Sequence, residues 1–311
     1  MIGKGYGMQK DVIWYGLLLL FVLWVILEQR LLMTSKHTIA SGKLPRQPES
    51  VSFVVLADLH NRSLGKRNSR LLKRIDTLAP DFVLAAGDMI NKKEVCYPGN
   101  ACELLEELAK RYPVFFAYGN HEQRLEGFGK KDRTSLTEEE RFCETAWTQF
   151  KAHLTGAGVR FLDNESVTLK VKSLPLRITG VSIDDRYFGF HAPKELEPSY
   201  LNTLLGDGGH SKGTEECYHI LIAHNPVFFE AYTQWGADLT LSGHIHGGMM
   251  RLPVLGGVLS PQARFFPKYD AGIYSSGARH MVVSRGLGSH SIMPRIFNLP
   301  ELIHIRLTGD K

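Results

Sequence analysis

Cysteine is scarce. Cys96, Cys102, Cys143 and Cys217 are the only four in 311 residues, and none stands in a Cys-x-x-Cys pair. A disulfide-built scaffold and a thiolate zinc site are therefore excluded as organising principles. Free thiols are the plain reading, with Cys96 and Cys102 the one pair placed to bridge if their loop meets an oxidising space. A long basic block is also lacking. Lys and Arg outnumber Asp and Glu by 37 to 32, a formal net charge of +5. That excess is mild and dispersed, so no nucleic-acid partner is expected. There is no internal repeat and no low-complexity tract. What is present, 43% hydrophobic and 22% charged residues, is ordinary for a globular chain long enough to bury a large core.

The longest apolar run lies near the amino terminus. Residues 12–27 carry only apolar, aromatic and glycine side chains. As a helix they span roughly 24 Å, short of a hydrocarbon core of about 30 Å. Leu31, Leu32 and Met33 extend the apolar side beyond Glu28-Gln29-Arg30. Lys10 and Arg30 suit snorkelling, and Trp14 and Trp24 suit an interface. A cleaved signal peptide is the rival, but the apolar region is long for one and no good small-x-small site follows. The expectation is a tail over 1–11, an uncleaved membrane anchor over 12–33, a polar linker over 34–50 with Pro45 and Pro48, and one domain over 51–308. Lys4 and Lys10 precede the span, whereas Arg30, Lys36, Lys43 and Arg46 follow it, a distribution that leans toward a cytoplasmic catalytic domain.

Beyond residue 50 the chain alternates. Residues 51–57, 82–86 and 114–118 are short β-branched or aromatic runs without polar alternation, as strands buried on both faces require. Residues 64–79 and 101–112 between them have helical spacing, so the three strands form a parallel βαβαβ series. A capping box at Thr137 to Glu140 opens a further helix. Residues 159–162 and 166–171 read as a hairpin around Asp163-Asn164-Glu165, followed by strands over 177–183, 218–223, 237–241, 281–285 and 302–307. Many strands, with helices first between and later around them, indicate two sheets in a layered α/β domain.

Polar residues collect where these strands end. Asp58 and His60 follow the first, Asp88 the second, Asn120 and His121 the third. His224 follows the strand ending at 223, and His244 and His246 follow Leu241-Ser242-Gly243. At strand spacing, residues i and i+2 share a side, so Asp58 with His60, and His244 with His246, would each aim at one point. Singly each has a dull account: Asp88 a cap, Asn120 a turn residue, His224 a satisfied core histidine. Together they lie at the carboxyl ends of core strands, where open α/β sheets build their sites.

The residue types suit a pair of divalent cations acting at phosphorus. Two cations about 3.5–4 Å apart need a shared anion, which a carboxylate such as Asp88 supplies. Imidazoles fill further positions, and the Asn120 amide oxygen adds a ligand without charge. This mixed N/O set favours Mn, Fe, Zn or Co. Water between such metals is acidified toward pKa 7, so hydroxide attack at neutral pH is expected. His121, beside Asn120, is placed to protonate the leaving oxygen as general acid.

The combination Asp-x-His, Gly-Asp, Gly-Asn-His-Glu, His-Asn-Pro and Gly-His-x-His resembles the calcineurin-like metallophosphoesterase superfamily over residues 51–307. The resemblance implies a four-layer αββα sandwich of two mixed sheets with a dimetal centre at one edge. It implies that one metal takes Asp58, His60, Asp88 and His246, the other takes Asp88, Asn120, His224 and His244, and His121 is the proton donor. Gly286-Leu287-Gly288 and residues 294–301 resemble the small membrane-associated bacterial phosphodiesterase branch, whose relatives include pyrophosphatases of UDP-diacylglucosamine. Met249 departs from that branch, where glutamine is frequent. A membrane-anchored phosphodiesterase or pyrophosphatase acting on a phosphate diester or lipid-linked pyrophosphate is expected. The alternative is a catalytically silent metal-binding module of the same fold, against which the presence of His121 argues. Apolar residues over 247–269 have two readings, a wall for an amphiphilic substrate or simple packing against the core. His191 is a candidate lid residue, and Arg186, Arg251, Arg264 and Lys268 are candidates for a second phosphate or plain surface charges.

Overall fold

The computed structural model describes residues 3–44, 50–91, 99–207, 217–248, 250–252, 254–260, 264–289 and 295–309, with no side-chain description for 3–10 or 133. Helix α1 (Gly3–Glu28) is followed by β1 (Met33–Ser41), β2 (Val51–Leu56), α2 (Ser69–Leu78), β3 (Phe82–Ala86), α3 (Asn100–Ala109), β4 (Val114–Ala117), α4 (Asn120–Gly129), α5 (Glu138–Gly156) and β5 (Val159–Leu162). Then come β6 (Glu165–Val171), β7 (Leu174–Val181), α6 (Pro198–Leu205), β8 (Tyr218–Ala223), α7 (Phe229–Trp235) and β9 (Leu239–Ser242). The last strands are β10 (Arg251–Leu252), β11 (Gly256–Gly257), β12 (Gly272–Ser276), β13 (Arg279–Val283) and β14 (Glu301–Gly309).

Two six-stranded sheets result, ordered β1-β14-β2-β3-β4-β5 and β12-β13-β9-β8-β7-β6. Strands β2, β3, β4 and β5 run parallel, as do β7, β8, β9 and β13, while β14 is antiparallel to β2 and β12 to β13. Alternation along each central strand divides the core. In β2, β3 and β4, Phe53, Val55, Phe82, Leu84, Phe115 and Ala117 face the second sheet and meet Ile220, Ile222, Leu239 and Leu241. Their neighbours Val54, Leu56, Val83, Ala85, Val114 and Phe116 face outward and are covered by α2, α3 and α5. On the far side Leu221 and Ala223 meet α6 and α7 through Leu201, Tyr232 and Trp235. Helix, sheet, sheet, helix is thus the order of layers, and strands apolar on both faces are its cause. Each fully buried Leu, Ile or Phe contributes roughly 1.5–3 kcal/mol, so the continuous middle layer holds the sheets face to face. Thr137 caps α5 as expected, its side chain accepting from Glu140 N.

Three expectations need correction. Residues 33–41 are not linker: β1 pairs in parallel with β14 along its whole length, Met33 opposite Glu301 and Ser41 opposite Gly309. An edge strand has one partner and shows mostly polar side chains, and in β1 only Ile39 is buried. The remaining proposed linker, with Pro45 and Pro48, lies partly outside the described residues. Next, Leu31-Leu32-Met33 do not prolong the apolar helix; α1 reaches back to Gly3 instead, and 26 residues span about 39 Å. Finally, β5 and β6 are not a hairpin. β5 joins β4 in the first sheet and β6 joins β7 in the second, so Asp163-Asn164 carries the chain between sheets. Asn164 takes φ +54° there, and its Oδ1 accepts Ser182 N at 2.8 Å.

Residues 11–28 are long and apolar enough to cross a membrane by length and composition, and 11% of that stretch is buried against the domain.

Candidate metal centre

The carboxyl ends of β2, β3 and β4 in one sheet, and of β8 and β9 in the other, come together at one edge. The loops interlock through backbone hydrogen bonds: Asp58 N to Gly87 O at 3.0 Å, His60 N to Asp88 O at 3.0 Å and Gly243 N to His224 O at 3.0 Å. Asp58, His60, Asp88, Asn120, His121, His224, His244 and His246 are all buried there. They converge for a reason other than strand spacing. His244 and His246 lie beyond β9 with φ +69° and +53°, and Asp58, His60 and Asp88 have φ +52°, +49° and +51°. The left-handed region costs a non-glycine residue of order 1–3 kcal/mol. Its occurrence at these five residues means that loop backbone beyond the strands, not strand alternation, places their side chains. His244 and His246 consequently join two adjacent groups rather than one.

Asp58, His60 and His246 have ligand atoms within 4.8 Å of one another, and so do Asp88, His224 and His244. His60 Nε2 lies 3.1 Å from His246 Nε2, and His246 Nε2 lies 3.4 Å from Asp58 Oδ1. His224 Nε2 lies 3.2 Å from Asp88 Oδ2 and 3.6 Å from Asp58 Oδ1, so the groups adjoin. Asp88 also stands with His60 and His121, His121 Nε2 being 3.9 Å from Asp88 Oδ2. Asp88 thus belongs to both sides. The Oδ1 of Asn120 is buried without a hydrogen-bond partner. His224 Nδ1 approaches Ala86 O at 2.7 Å, which assigns the ring proton to Nδ1 and leaves Nε2 a lone-pair donor when neutral. A buried orphan amide oxygen, inward imidazole nitrogens and two carboxylates fit divalent cations of the Mn, Fe or Zn kind.

Burial pushes the Asp58 carboxyl up to about 7, with Asp88 adding to the rise and His224 opposing it. Burial also disfavours ionised Asp88, but the charge of His224, then His121, holds it well below the usual carboxylate range. His224 is raised to about 10: burial opposes this, and the Asp88 and Asp58 carboxylates outweigh it. The metal-free cluster therefore holds protons where cations would bind, and cations must displace them. Both Asp58 and His224 are raised above their unfolded values. Their protonation stabilises the metal-free fold at low pH, and that stability is lost as pH rises through about 7 and about 10 respectively. Cation affinity should correspondingly tighten roughly tenfold per pH unit for each proton displaced. The expected result is a melting-temperature gap between Mn²⁺-loaded and EDTA-treated protein that widens from about pH 6 to about pH 9. A constant or narrowing gap contradicts it.

Residues with no role assigned from sequence hold this cluster in place. Glu122 is fully buried and accepts N–H groups of Asp88 (2.8 Å), Ile90 (3.2 Å) and Gly119 (2.9 Å), joining the β3 and β4 loops. Its signal was present in Gly-Asn-His-Glu, where it stands three positions after the residue preceding a helix. Asp58 accepts His244 N at 3.0 Å, and Asp88 Oδ1 accepts His121 N at 2.9 Å. Asn298 Nδ2 donates to His246 O at 2.6 Å, and Arg295 Nη1 donates to Gly286 O and Gly288 O at 3.0 and 2.7 Å. Phe188 packs edge-on to His244, ring centroids 5.1 Å apart. Gly119 has an ordinary φ of −92°, yet a Cβ there would overlap Asp88 Oδ1 and the Asp88 backbone nitrogen. Gly119→Ala should displace the Asp88 carboxylate, and misplacement by about 1 Å is worth roughly 10²-fold in rate. Turnover with metal analysis on the same sample checks this; wild-type values for both refute it.

Other sequence candidates fall elsewhere. Arg251 is paired with Asp270 at 3.0 Å, Lys268 with Glu230 at 2.8 Å and Arg186 with Asp184 at 3.9 Å, while Arg264 Nη2 donates to Ala192 O at 3.3 Å. His191 is exposed beside Phe190. Core packing does not account for the apolar loops: Val254, Leu255, Phe265 and Phe266 are exposed. Cys102 is a buried thiol, and Cys96 and Met249 lie outside the described residues.

A family model described as calcineurin-like phosphoesterase matches residues 51–248. The chain is 26% identical over 279 residues to the uncharacterized metallophosphoesterase YkuE of Bacillus subtilis, covering 89% of this chain and 85% of that one. It is 27% identical over 265 residues to phosphodiesterase YaeI of Escherichia coli, covering 82% and 80%. With the UDP-2,3-diacylglucosamine pyrophosphatase LpxG of Chlamydia muridarum, identity is 23% over 312 residues, covering 87% and 88%.

Proposed function

The chain belongs to the calcineurin-like phosphoesterases, metal-dependent hydrolases that use two divalent cations, and from that premise we propose that it is a membrane-anchored phosphodiesterase or pyrophosphatase. Asp58, His60, Asp88 and His246 would hold one cation, and Asp88, Asn120, His224 and His244 the other. The observation carrying this assignment is Asp88, whose carboxylate stands within reach of both groups. Bound cations of this kind supply a nucleophile at neutral pH and clamp the phosphoryl oxygens. The protein's own part is to fix those ligands, exclude bulk water by burial and bring a proton to the departing oxygen from His121.

Helix α1 supports the anchor, since residues 11–28 within it are long and apolar enough to cross a bilayer by length and composition. The excess of Lys and Arg after the span supports a cytoplasmic domain. The exposed apolar side chains of Val254 and Leu255, between β10 and β11, and of Phe265 and Phe266 support an amphiphilic substrate met at the membrane surface. The relatives named as a phosphodiesterase and as a lipid pyrophosphatase are consistent with either leaving group. Turnover of a nitrophenyl diester, nucleotide diesters and sugar-nucleotide lipids, with metal content measured on the same sample, tests the reading. Hydrolysis of the lipid pyrophosphate at the highest kcat/KM is expected. No turnover with two cations bound, whichever metal is supplied, would leave a silent binding module.

A further inference from the structure

We propose that Glu28, in the last turn of the apolar helix, is a positioning residue for the metal centre, acting through Asn298 on His246. The inference rests on His246 being a metal ligand. Most side chains of α1 beyond residue 10 are exposed, yet Glu28 is fully buried. Its location is costly twice over: a carboxylate is taken out of water, and it sits at the negative end of the helix dipole. Its oxygens accept the backbone N–H of Phe297, at 2.9 Å, and of Asn298. Charge-assisted bonds of this kind offset the desolvation, and they fix the 297–298 peptide against the helix end.

Asn298 is fully buried, and its amide donates to His246 O at 2.6 Å and to Gly248 O at 3.4 Å. Those carbonyls flank a left-handed run, with φ +53° at His246 and +70° at both Gly247 and Gly248. Glycine enters that region freely, but His246 does not, and a non-glycine residue there is held by the bonds around it. The path from Glu28 to His246 is therefore two hydrogen-bonded links. A second arm runs from the neighbouring residue. Gln29 accepts from Arg62 at 3.1 and 2.9 Å through its side chain and carbonyl, and its Nε2 donates to Arg295 O at 3.1 Å. Arg295 in turn grips Gly288 O at 2.7 Å, and Gly288 N donates to Asp58 O at 2.7 Å. Both arms end on the Asp58, His60 and His246 group. The helix end and one half of the cation site form one hydrogen-bonded unit.

The test uses full-length protein in detergent, freed of metal and titrated with Mn²⁺ by calorimetry and by electron paramagnetic resonance of the free ion. Wild type should show two binding steps. Glu28→Ala and Asn298→Ala should each weaken one step by about 10–100-fold, the usual effect of removing a partner behind a ligand, and leave the other within about twofold. The double variant should lose no more than the worse single one, since both act along one path. Glu28→Gln keeps one acceptor oxygen and should fall between. Where Glu28→Ala fails to fold, as melting of the metal-free protein would reveal, Glu28→Gln and Asn298→Ala carry the test. Equal weakening of both steps, or no weakening, overturns the proposal. His246→Ala separates the two levels. Two intact steps in that variant refute His246 as a ligand, whereas loss of one there with none in Glu28→Ala and Asn298→Ala refutes only the positioning role.

Discussion

His121→Ala should slow hydrolysis of esters with poor leaving groups by about 10²–10⁴-fold, the usual worth of a placed general acid. Nitrophenyl esters, whose leaving oxygen needs no proton, should lose far less. The geometry supports this role without excluding a second. The His121 backbone is tied to Asp88 Oδ1 at 2.9 Å, while its ring stands edge-on to His60, centroids 5.1 Å apart. Its Nε2 is 3.9 Å from Asp88 Oδ2, beyond hydrogen-bond length. The ring is thus near the shared carboxylate without being bound to it. His121 also groups with His60 and Asp88 as a candidate metal ligand, and metal analysis separates the roles. An acid leaves two cations per chain after its removal; a ligand does not. Equal losses on good and poor leaving groups would remove His121 from the acid role.

Asp88→Asn should cost more than any substitution behind the ligands, well past the roughly 10–100-fold typical of those. Metal content should fall below two per chain. The substitution keeps the shape of the side chain but removes the anion, and with it the larger of the two carboxylate charges that hold His224 up to about 10. Two cations close together repel, and without a shared carboxylate that repulsion is no longer offset. Retention of both cations at wild-type affinity would refute the bridging position. Combining Asp88→Asn with His121→Ala should add little, because residues that act as a unit are not additive.

The site was legible wherever local chemistry recurs at a structural boundary. Asp58, Asp88, Asn120, His224 and His244 each follow a run apolar on both faces, and such runs show in sequence because burial on two sides allows no polar alternation. The backbone that gathers them was not legible. Asp58, His60, Asp88, His244 and His246 adopt left-handed φ, which Asp and His enter more readily than most residues but which nothing in a local pattern announces; the interlocked loops impose it. β1 escaped because an edge strand with one buried residue looks like linker. Between β5 and β6 a two-residue turn has the same spacing whether it folds back as a hairpin or, as here, crosses from one sheet to the other. Glu28, Asn298 and Arg295 act through bonds between distant parts of the chain, and such bonds leave no periodicity behind.

One feature of the first sheet governs the order of assembly. Its outer strand comes directly after the apolar helix, and among the described residues that strand pairs only with β14. A polypeptide emerging amino end first cannot pair β1 until residues 301–309 have followed it out. Closure of that long loop comes late and slowly. On the proposed anchoring, the helix reaches a bilayer before that pairing forms, and the hydrolase half completes itself at the lipid surface rather than arriving there finished.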